Sequence, residues 1–398
     1  MSRASGKLKR ILPPFFTLNF FVLCLSSFLF FASFNMIIPE LPSYLSSLGG
    51  EDYKGLIISL FTLTAGLSRP FSGKLADKIG RIPVMVFGAI VCFVISMLYP
   101  VITSVAGFLL LRFVHGFSTG FTPTGTSAFV ADIVPFNRRG EAMGIQSLFG
   151  SLGMAAGPAA GGYIAAEYGI NPLFYASAAT AILSILIILR LKETLEEKET
   201  LALHHFKLQR HEIIEKRVLP PSLVLFLTVF SFGVVLTIIP DYSEFLGIKN
   251  KGLFFAVFTL SSLGIRIIAG KASDKYGRIP VMKIASLSMA LAMLIIALAS
   301  TKTMLLFGGV VFGASVGMNS PTISAWTIDL SLDKFRGRAL ATMYIALEAG
   351  IGIGAITSGF VFQNKVENFF LVFSLGTITS LLAFIYLLTI PKNQNISL

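Results

Sequence analysis

Long apolar runs separated by short polar connections follow one another along the whole chain. Four of these runs, 15–38, 83–100, 172–189 and 369–390, approach or exceed the ~20 residues that a helix needs to cross ~30 Å of hydrocarbon. Runs broken by one or two polar residues fill the intervals. The pattern predicts twelve membrane-spanning helices, at 15–38, 54–73, 83–100, 104–131, 141–164, 172–190, 219–240, 251–270, 280–298, 303–328, 339–362 and 367–390.

Composition supports an all-α membrane protein. Of the 398 residues, 54% are hydrophobic and 13% are charged, with a mean hydropathy of +0.79, whereas a soluble domain needs more polar surface. The basic residues before the first span resemble a secretory signal, but that span is too long and lacks a cleavage pattern, so we expect it to be retained. Cys24 and Cys92 fall inside predicted spans and are expected to pack there without forming a disulfide.

The distribution of the basic residues behind the net charge of +12 indicates how the chain is oriented in the membrane. Of the 32 Lys and Arg residues, 24 lie in or next to the N-terminus, the even-numbered connections and the C-terminus. This bias follows the positive-inside rule and predicts that both termini face the cytoplasm. We therefore expect a lipid bilayer, and no nucleic acid, as the partner of this basic chain.

An internal repeat divides the chain. Residues 55–85 align without gaps to 252–282, with 16 of 31 positions identical. The same offset of 197 residues relates Asp132 to Asp329, Arg139 to Arg336 and Gly140 to Gly337. Hydrophobic patterning alone would not place charges in register, so the repeat predicts two six-helix bundles related by a pseudo-twofold axis.

The repeat sets the expected domain boundaries. The first bundle is predicted at 1–190 and the second at 219–398, joined by a cytoplasmic, partly helical linker at 191–218. The linker carries His204, His205 and His211. We interpret these as solvated residues, with a metal site as the alternative. The other connections are too short to hold a soluble catalytic domain.

A charged, glycine-punctuated motif occurs once in each half. It reads G-x-x-x-D-x-x-G-R, with Gly73, Asp77, Gly80 and Arg81 in the first copy and Gly270, Asp274, Gly277 and Arg278 in the second. Glycine permits a tight turn between two helices, and an Asp near the start of the next helix meets its positive dipole end. The Arg can pair with a carboxylate at the end of another helix, and the available acids are Asp132 and Asp329.

This motif resembles the signature of the major facilitator superfamily, and the resemblance extends over essentially the whole chain. It implies twelve helices in two bundles that move by alternating access. It also implies a cytoplasmic gate that closes when the cavity faces outward, formed by Asp77, Arg81, Asp132 and Arg139 and by the matching set Asp274, Arg278, Asp329 and Arg336. The alternative is that these charges only fix topology and tie loops.

The fifth span contains the sequence GMAAGPAAGG. Its small residues, Gly153, Gly157, Pro158, Gly161 and Gly162, satisfy G-x-x-x-G-P-x-x-G-G, which resembles the motif of the drug:proton antiporter branch. Four-residue spacing of small residues lets helix backbones approach closely, and proline adds a kink. The second half keeps glycines, at Gly350, Gly352 and Gly354, but lacks the proline. Generic tight packing is the alternative reading.

The fourth span carries R-x-x-H-G-x-x-x-G, with Arg112, His115, Gly116 and Gly120. It resembles the R-x-x-Q-G motif of the superfamily, with His115 in place of the usual Gln. That substitution leaves the hydrogen-bonding role of the position open. His115 could titrate near neutrality. The repeat position of Arg112 is Gly309, so this charge belongs to one half only.

Charge inside the hydrocarbon is costly and therefore points to function. Arg69 and Arg266 fall about one turn from the cytoplasmic ends of their predicted spans, so we expect them to snorkel in a structural role. Glu348 falls near the midplane of the eleventh span, and its repeat position is Ser151. Desolvation favours a protonatable Glu348 that loads and releases a proton, with Arg112 as its expected partner. A purely structural pair is the alternative.

Other polar residues are weaker candidates. Glu40 and Asp241 follow equivalent prolines and are expected to end helices and face water, with proton entry as an alternative. The candidate cavity liners are Asn35, Gln146, Asn319, Trp326 and Tyr344.

The resemblance implies a proton-coupled secondary transporter of the inner membrane that exports a small hydrophobic or amphipathic compound, as in drug resistance. It implies a monomer, no cofactor or bound metal, and coupling through Glu348, His115 and Arg112. The alternatives are an exporter of a sugar, metabolite or organic anion, with Arg112 holding the anion, and a transport-inactive membrane sensor. No nucleotide-binding loop or hydrolase motif occurs in the sequence, so an enzyme is not expected.

Overall fold

The computed structural model describes residues 17–135, 139–195, 197–202, 214–332 and 336–390, with backbone only at 139–141, 267 and 336–338. No strand occurs in these ranges. Twelve long helices are numbered here in chain order: α1 Leu18–Ile37, α2 Lys54–Lys78, α3 Arg81–Leu98, α4 Val105–Ile133, α5 Arg139–Tyr168, α6 Ile170–Ile188, α7 Leu219–Phe245, α8 Leu253–Tyr276, α9 Arg278–Ala297, α10 Lys302–Leu330, α11 Arg336–Phe362 and α12 Phe369–Thr389.

Not all twelve helices are equally apolar. Among the described helices, nine are long and apolar enough to cross a membrane, and α8 is a tenth if its two segments, bent by 43° between Arg266 and Ile268, form one span. The remaining two, α2 and α5, are rich in Gly, Ala, Ser and Thr. These less apolar helices face protein in the middle of the molecule, where lipid does not select for large apolar side chains.

The packing of the second half repeats that of the first. Helix α1 packs on α5 and α6, α4 packs on α2 and α3, and α3 packs on α6; the same pattern recurs among α7 to α12. The two halves meet where α2 packs on α11 and where α5 packs on α8. We call these contacts the α2–α11 seam and the α5–α8 seam. The membership of α1–α6 in one bundle and α7–α12 in the other agrees with the predicted fold class.

Helix boundaries repeat because their local signals repeat. Ser104 and Thr301, 197 residues apart, cap α4 and α10 by accepting the backbone N–H of Gly107 and Met304, each at 3.2 Å. Gly80 and Gly277 adopt φ angles of 124° and 92° in the turns before α3 and α9. Alternating helix direction places the start of α1, the end of α12 and the described linker residues 191–195 and 197–202 on one face, the terminal face; the opposite face is the distal face.

Several helices extend beyond the predicted apolar runs. Helix α2 continues past 73 to Lys78, α8 past 270 to Tyr276, and α7 past Asp241 to Phe245. The added residues include Lys and Glu, which are good helix formers but are charged, so a search for apolar runs ends before them. Arg69 and Arg266 consequently lie about 14–15 Å from the terminal-face ends of their helices at 1.5 Å per residue. The expectation that they sit one turn from the end was wrong.

Candidate functional site

The centre of the α2–α11 seam holds an ion pair between the two halves. Arg69 Nη2 donates to Glu348 Oε1 at 2.7 Å, and Arg69 Nε donates to the same oxygen at 3.3 Å. The Arg69 guanidinium also lies over the ring of Tyr344, 4.6 Å from its centroid. Both charged side chains are largely shielded from solvent. Arg69 therefore does not snorkel; it faces Glu348 across the seam.

Arg112 is not the partner of Glu348, which corrects the expectation from sequence. Arg112 is 1% exposed, and its guanidinium lies within the first half, 4.6 Å from the centroid of the Phe61 ring. Arg112 Nε donates to the Ile57 carbonyl at 2.9 Å, and Nη1 lies 3.4 Å from Tyr99 Oη and 3.5 Å from His115 Nδ1. This buried position also removes the reason for expecting Arg112 to hold an anionic substrate.

His115 belongs to the same buried cluster. Its Nδ1 lies 3.3 Å from Tyr99 Oη, and its Nε2 lies 3.5 Å from Cys92 Sγ. Gly116 and Gly120 follow on α4, where Cβ atoms would collide with α2, notably with the Phe61 carbonyl and the Ser68 hydroxyl. The R-x-x-H-G-x-x-x-G motif thus joins α4 to α2 inside the first half. Cys24 and Cys92 are both buried and free, as expected.

The α5–α8 seam contains Arg266 at the position related to Arg69 by the repeat. Arg266 Nη1 donates to Ser151 Oγ of the other half at 3.2 Å. Its buried Nε has no hydrogen-bond partner among the described residues, and no described acid pairs with it. Arg266, like Arg69, faces the other half and does not snorkel.

The signature arginines bind acids of their own half on the terminal face. Arg81 pairs with Asp77 at 3.1 Å and Asp132 at 3.0 Å, and Arg278 pairs with Asp274 at 2.5 Å and Asp329 at 2.8 Å. The Arg81 guanidinium also donates to the Ala76 carbonyl. Asp77 and Asp274 are 72% and 71% exposed, which leaves them open to further partners. The side chains of Arg139 and Arg336 lie outside the described part of the chain.

The glycines of the signature divide into two groups. Gly80 and Gly277 form the turns, whereas Gly73 and Gly270 lie inside helices, where a Cβ would meet no atom within 4 Å. The expected turn role therefore holds for the later glycine of each copy only.

The linker contacts the first copy of the signature through Glu193, which sequence reasoning missed. Its carboxylate accepts the backbone N–H groups of Arg81 at 3.1 Å and Ile82 at 3.0 Å, at the start of α3. Burial opposes ionisation, but four backbone N–H bonds outweigh it and hold the pKa of Glu193 below its ordinary value. The repeat position is Ile390, so the second half has no such clamp. His204, His205 and His211 lie outside the described residues.

The glycine motif of α5 packs against two helices. Cβ atoms on Gly153, Gly157 and Gly161 would collide with the backbone of α1. Gly162 and the Pro158 carbonyl face the start of α8 in the other half, at Asn250 and Gly252. Small residues are needed on both sides because the backbones approach so closely.

The second half repeats this packing without the proline. Gly350 and Gly354 face α7, and Gly352 faces Thr62 of α2, where a Cβ would lie 2.7 Å from the hydroxyl. On the distal face a Cβ on Gly55 would lie 2.7 Å from the Ala355 carbonyl, at the repeat position of Pro158. Both seams are therefore glycine-packed where they reach the distal face.

Ionic contacts also connect the halves on the distal face. Lys54 of α2 pairs with Asp241 of α7 at 2.5 Å. Lys251, at the repeat position of Lys54, contacts Ser43 of the first half at 2.5 Å and Glu244 at 2.6 Å. Because α7 continues past Asp241 and Lys54 covers its carboxylate, the expectation that Asp241 ends a helix and faces water was wrong.

The cavity candidates fall in different environments. Tyr344 joins the Arg69–Glu348 pair, whereas Trp326 packs among buried apolar side chains of the second half. Asn35 donates to the Phe31 carbonyl of its own helix at 2.7 Å. Gln146 donates to Ser27 at 3.2 Å and Asn319 to Thr228 at 2.7 Å, each within one half. Substrate contact by these residues stays a prediction. No group of three or more potential metal ligands occurs in the described ranges.

Two repeated bundles with charged groups at the centre of both seams define a membrane transporter. The sequence profile of the Major Facilitator Superfamily matches residues 23–300 and again residues 222–397, and the chain belongs to this superfamily. It is an integral membrane protein that transports a small molecule, and it is not an enzyme.

Known relatives and structures agree with this assignment. The chain is 30% identical to multidrug resistance protein 2 of Bacillus subtilis (strain 168) over 65% of its own length and 67% of the relative. It is 26% identical to multidrug resistance protein MdtG of Escherichia coli O17:K52:H18 over 88% and 93% of the two chains.

Two solved structures share the fold at low identity. A D-xylose–proton symporter superimposes with a TM-score of 0.79 at 16% identity, covering 95% of this chain and 99% of the other. The human organic anion transporter MFSD10 superimposes with a TM-score of 0.73 at 20% identity, covering 94% and 100%.

Proposed function

We propose that the protein is a proton-driven exporter of hydrophobic or amphipathic compounds, of the multidrug type. The names of the bacterial relatives support the substrate class, and the glycine motif of α5 supports the antiporter branch. The proposed location is the inner membrane, with both termini in the cytoplasm, the protein acting as a monomer without a cofactor.

The observation that carries proton coupling is the ion pair between Arg69 and Glu348. It joins helices of different halves, so its strength affects how the halves sit on each other. A buried pair that loses one charge leaves the other uncompensated, at a cost of about 3–5 kcal/mol. Protonation of Glu348 would therefore release α2 from α11, and movement of the halves would change the side from which Glu348 exchanges its proton.

Arg112 and His115 are proposed in a secondary role. Their cluster lies inside the first half, and Arg112 reaches α2 through the Ile57 carbonyl. It can transmit a shift of α2 to α4 without exchanging a proton itself. Glu348 is the main candidate for the proton-carrying group, because its partner Arg69 lies in the other half.

Alternating access is supported by the different contacts that the two halves make on the distal face and on the terminal face. Glycine contacts and the Lys54–Asp241 pair hold the halves together on the distal face. On the terminal face each signature arginine binds acids of its own half, and the exposed Asp77 and Asp274 are available to a partner from the opposite half. We propose that the two bundles, 1–190 and 219–398, rock as units, and that the signature residues form the gate on the cytoplasmic side.

The test uses everted membrane vesicles with an acidified lumen. Addition of a cationic dye such as ethidium should release protons from vesicles that contain the wild-type protein. Glu348→Gln should reduce this release to the level of vesicles lacking the protein. The matched control is Glu367→Gln, which removes an exposed carboxylate of the distal face.

Unchanged proton release with Glu348→Gln would show that another group carries the proton. If the wild-type protein transports dye at the same rate with and without a pH gradient, proton coupling is ruled out. Absence of transport across a panel of cationic, neutral and anionic compounds would favour the transport-inactive sensor.

A further inference from the structure

The repeat relates the centres of the two seams residue by residue. Arg266 stands at the position of Arg69, 197 residues later, and both face the other half. The groups around them differ. Ser151 stands where the first seam has Glu348, and Ser147, one turn earlier on α5, stands where it has Tyr344. The second seam therefore keeps the arginine but replaces its carboxylate and its aromatic ring with serines.

Arg266 is consequently a charged group without a counter-charge among the described residues. Its one described hydrogen bond is to the Ser151 hydroxyl, and its buried Nε donates to no described group. A guanidinium stays protonated in a protein and presents five donors in a planar fork. An uncompensated charge inside the membrane is costly, so an anion that reaches this position is stabilised.

The guanidinium favours an oxyanion, and the proposed export of amphipathic compounds makes the acidic group of an organic molecule the expected ligand. The guanidinium fork binds the two oxygens of a carboxylate, sulfonate or phosphate side by side. The serines at these positions of the second seam have smaller side chains than Glu348 and Tyr344, which they replace. The centres of the two seams together carry two arginines, Arg69 and Arg266, and one described acid, Glu348, so the charge at this depth between the halves is positive.

We propose that Arg266 and Ser151 form a binding site for the acidic group of an amphipathic organic anion, which is a transported substrate. This inference rests on the proposed export function but not on proton coupling. The anion takes, in the α5–α8 seam, the place that the Glu348 carboxylate takes in the α2–α11 seam. The site is distinct from the Arg112 cluster, whose arginine is buried within one half.

Binding of two related dyes by the purified protein in a neutral detergent tests the proposal. Fluorescein is anionic, and rhodamine 123 has the same ring system but is cationic. Arg266→Gln should weaken fluorescein binding by about tenfold or more, the effect of losing one charge-assisted hydrogen bond. Rhodamine 123 should bind Arg266→Gln at least as well as the wild type, because a repelling positive charge is gone.

The sharper variant is Ser151→Glu, which recreates in the second seam the acid of the first. An internal carboxylate would occupy Arg266, so fluorescein binding should fall by about tenfold or more while the ion pair stabilises the fold. Ser151→Gln has the same size without the charge and should weaken fluorescein binding far less. The comparison separates charge from steric exclusion.

Selective loss of fluorescein binding in both Arg266→Gln and Ser151→Glu supports the site. The site is refuted if the wild type binds fluorescein no more tightly than Arg266→Gln, or if both dyes are lost together in folded variants. Displacement of fluorescein by phosphatidylglycerol but not by soluble aromatic carboxylates would assign the arginine to a lipid headgroup and overturn the proposal. The assay needs no pH gradient, so its result is independent of the Glu348 test.

Discussion

The two seams between the halves are alike on the distal face and differ at their centres. On the distal face Gly55 packs on α11 and Gly252 packs on α5, at positions related by the repeat. At the centres, Arg69 pairs with Glu348, whereas Arg266 has only the hydroxyl of Ser151. Close packing is thus duplicated, and charge compensation is not.

This difference separates what the architecture needs from what transport needs. A rocking pair of bundles needs two equivalent contacts, and glycines supply them in both seams. A proton and a substrate are different cargoes, so equivalent sites for them are not required. The residues that break the repeat are therefore the ones to which we assign chemistry.

The largest effect is expected from moving the acid between the seams. Glu348→Ser leaves the Arg69 charge buried without a partner and should destabilise the protein by about 3–5 kcal/mol. Adding Ser151→Glu supplies an acid to Arg266 and should restore a large part of that loss, because one ion pair again joins the halves. Thermal unfolding of the purified variants in detergent measures both steps.

Ser374→Glu combined with Glu348→Ser is the matched control, since Ser374 is half-buried on α12, away from both seams, and its hydroxyl donates to the Phe370 carbonyl of the same helix. It should give no recovery. If Ser151→Glu restores no more of the lost stability than this control does, then the second seam cannot hold an ion pair as the first seam does. The proposed equivalence of the two seams would then be wrong.

The features that recur in both halves could be predicted from the sequence. The twelve long helices and the pairs of Arg81 with Asp132 and of Arg278 with Asp329 follow from apolar runs and from charges that recur in register. These pairs join helices that pack on each other in both halves, α3 with α4 and α9 with α10. A repeated motif therefore carried enough information to predict both partners.

The contacts that occur in only one seam or only one half could not be predicted from the sequence. Arg69 and Glu348 are 279 residues apart, and nothing in their local sequence indicates that they meet across the seam. The expected snorkelling of Arg69 depended on ending its helix at the last apolar residue, although polar helix formers extend α2 to Lys78. Glu193 lies in a polar linker, where sequence gives no signal for a carboxylate that caps another helix.

A smaller effect is expected from the distal lysines, which also differ between the halves. Lys54→Gln leaves Asp241 shielded from water without its counter-ion, which should weaken distal closure by about 1–3 kcal/mol. Lys251→Gln should cost less than about 1 kcal/mol, because its partner Glu244 is 65% exposed and solvated. The rate of maleimide labelling at Thr62→Cys, a position buried beside Gly352, reports distal opening.

Labelling should be faster in Lys54→Gln than in Lys251→Gln, with Lys365→Gln, an exposed distal lysine, as the unchanged reference. The native Cys24 and Cys92 are buried, and their labelling in the protein without Thr62→Cys is subtracted. Equal rates for all three lysine variants would mean that the Lys54–Asp241 pair does not hold the distal face closed.

The smallest effect concerns Glu193, which clamps the linker to the first half only. Its pKa is held below the ordinary value, so its contribution is present above the unfolded pKa and is lost as the pH falls through the folded one. Glu193→Gln should cost about 0.5–1 kcal/mol at pH 7, a magnitude typical of a solvent-screened helix cap. The difference from wild type should shrink as the pH falls below the ordinary pKa of a glutamate, about 4.3, and it should vanish only below the lowered folded-state pKa, where the wild-type carboxyl is also neutral.

Hydrogen exchange at the amides of Arg81 and Ile82 measures this contribution directly, because both donate to Glu193. Glu193→Gln should speed their exchange at pH 7, after correction for intrinsic rates, while the corresponding amides of Arg278 and Ile279 should be unaffected. Glu197→Gln, an exposed carboxylate of the same linker, should change neither pair. A difference from wild type that stays the same as the pH is lowered through the titration of Glu193 would mean that the side-chain packing of Glu193, and not its charge, holds the linker.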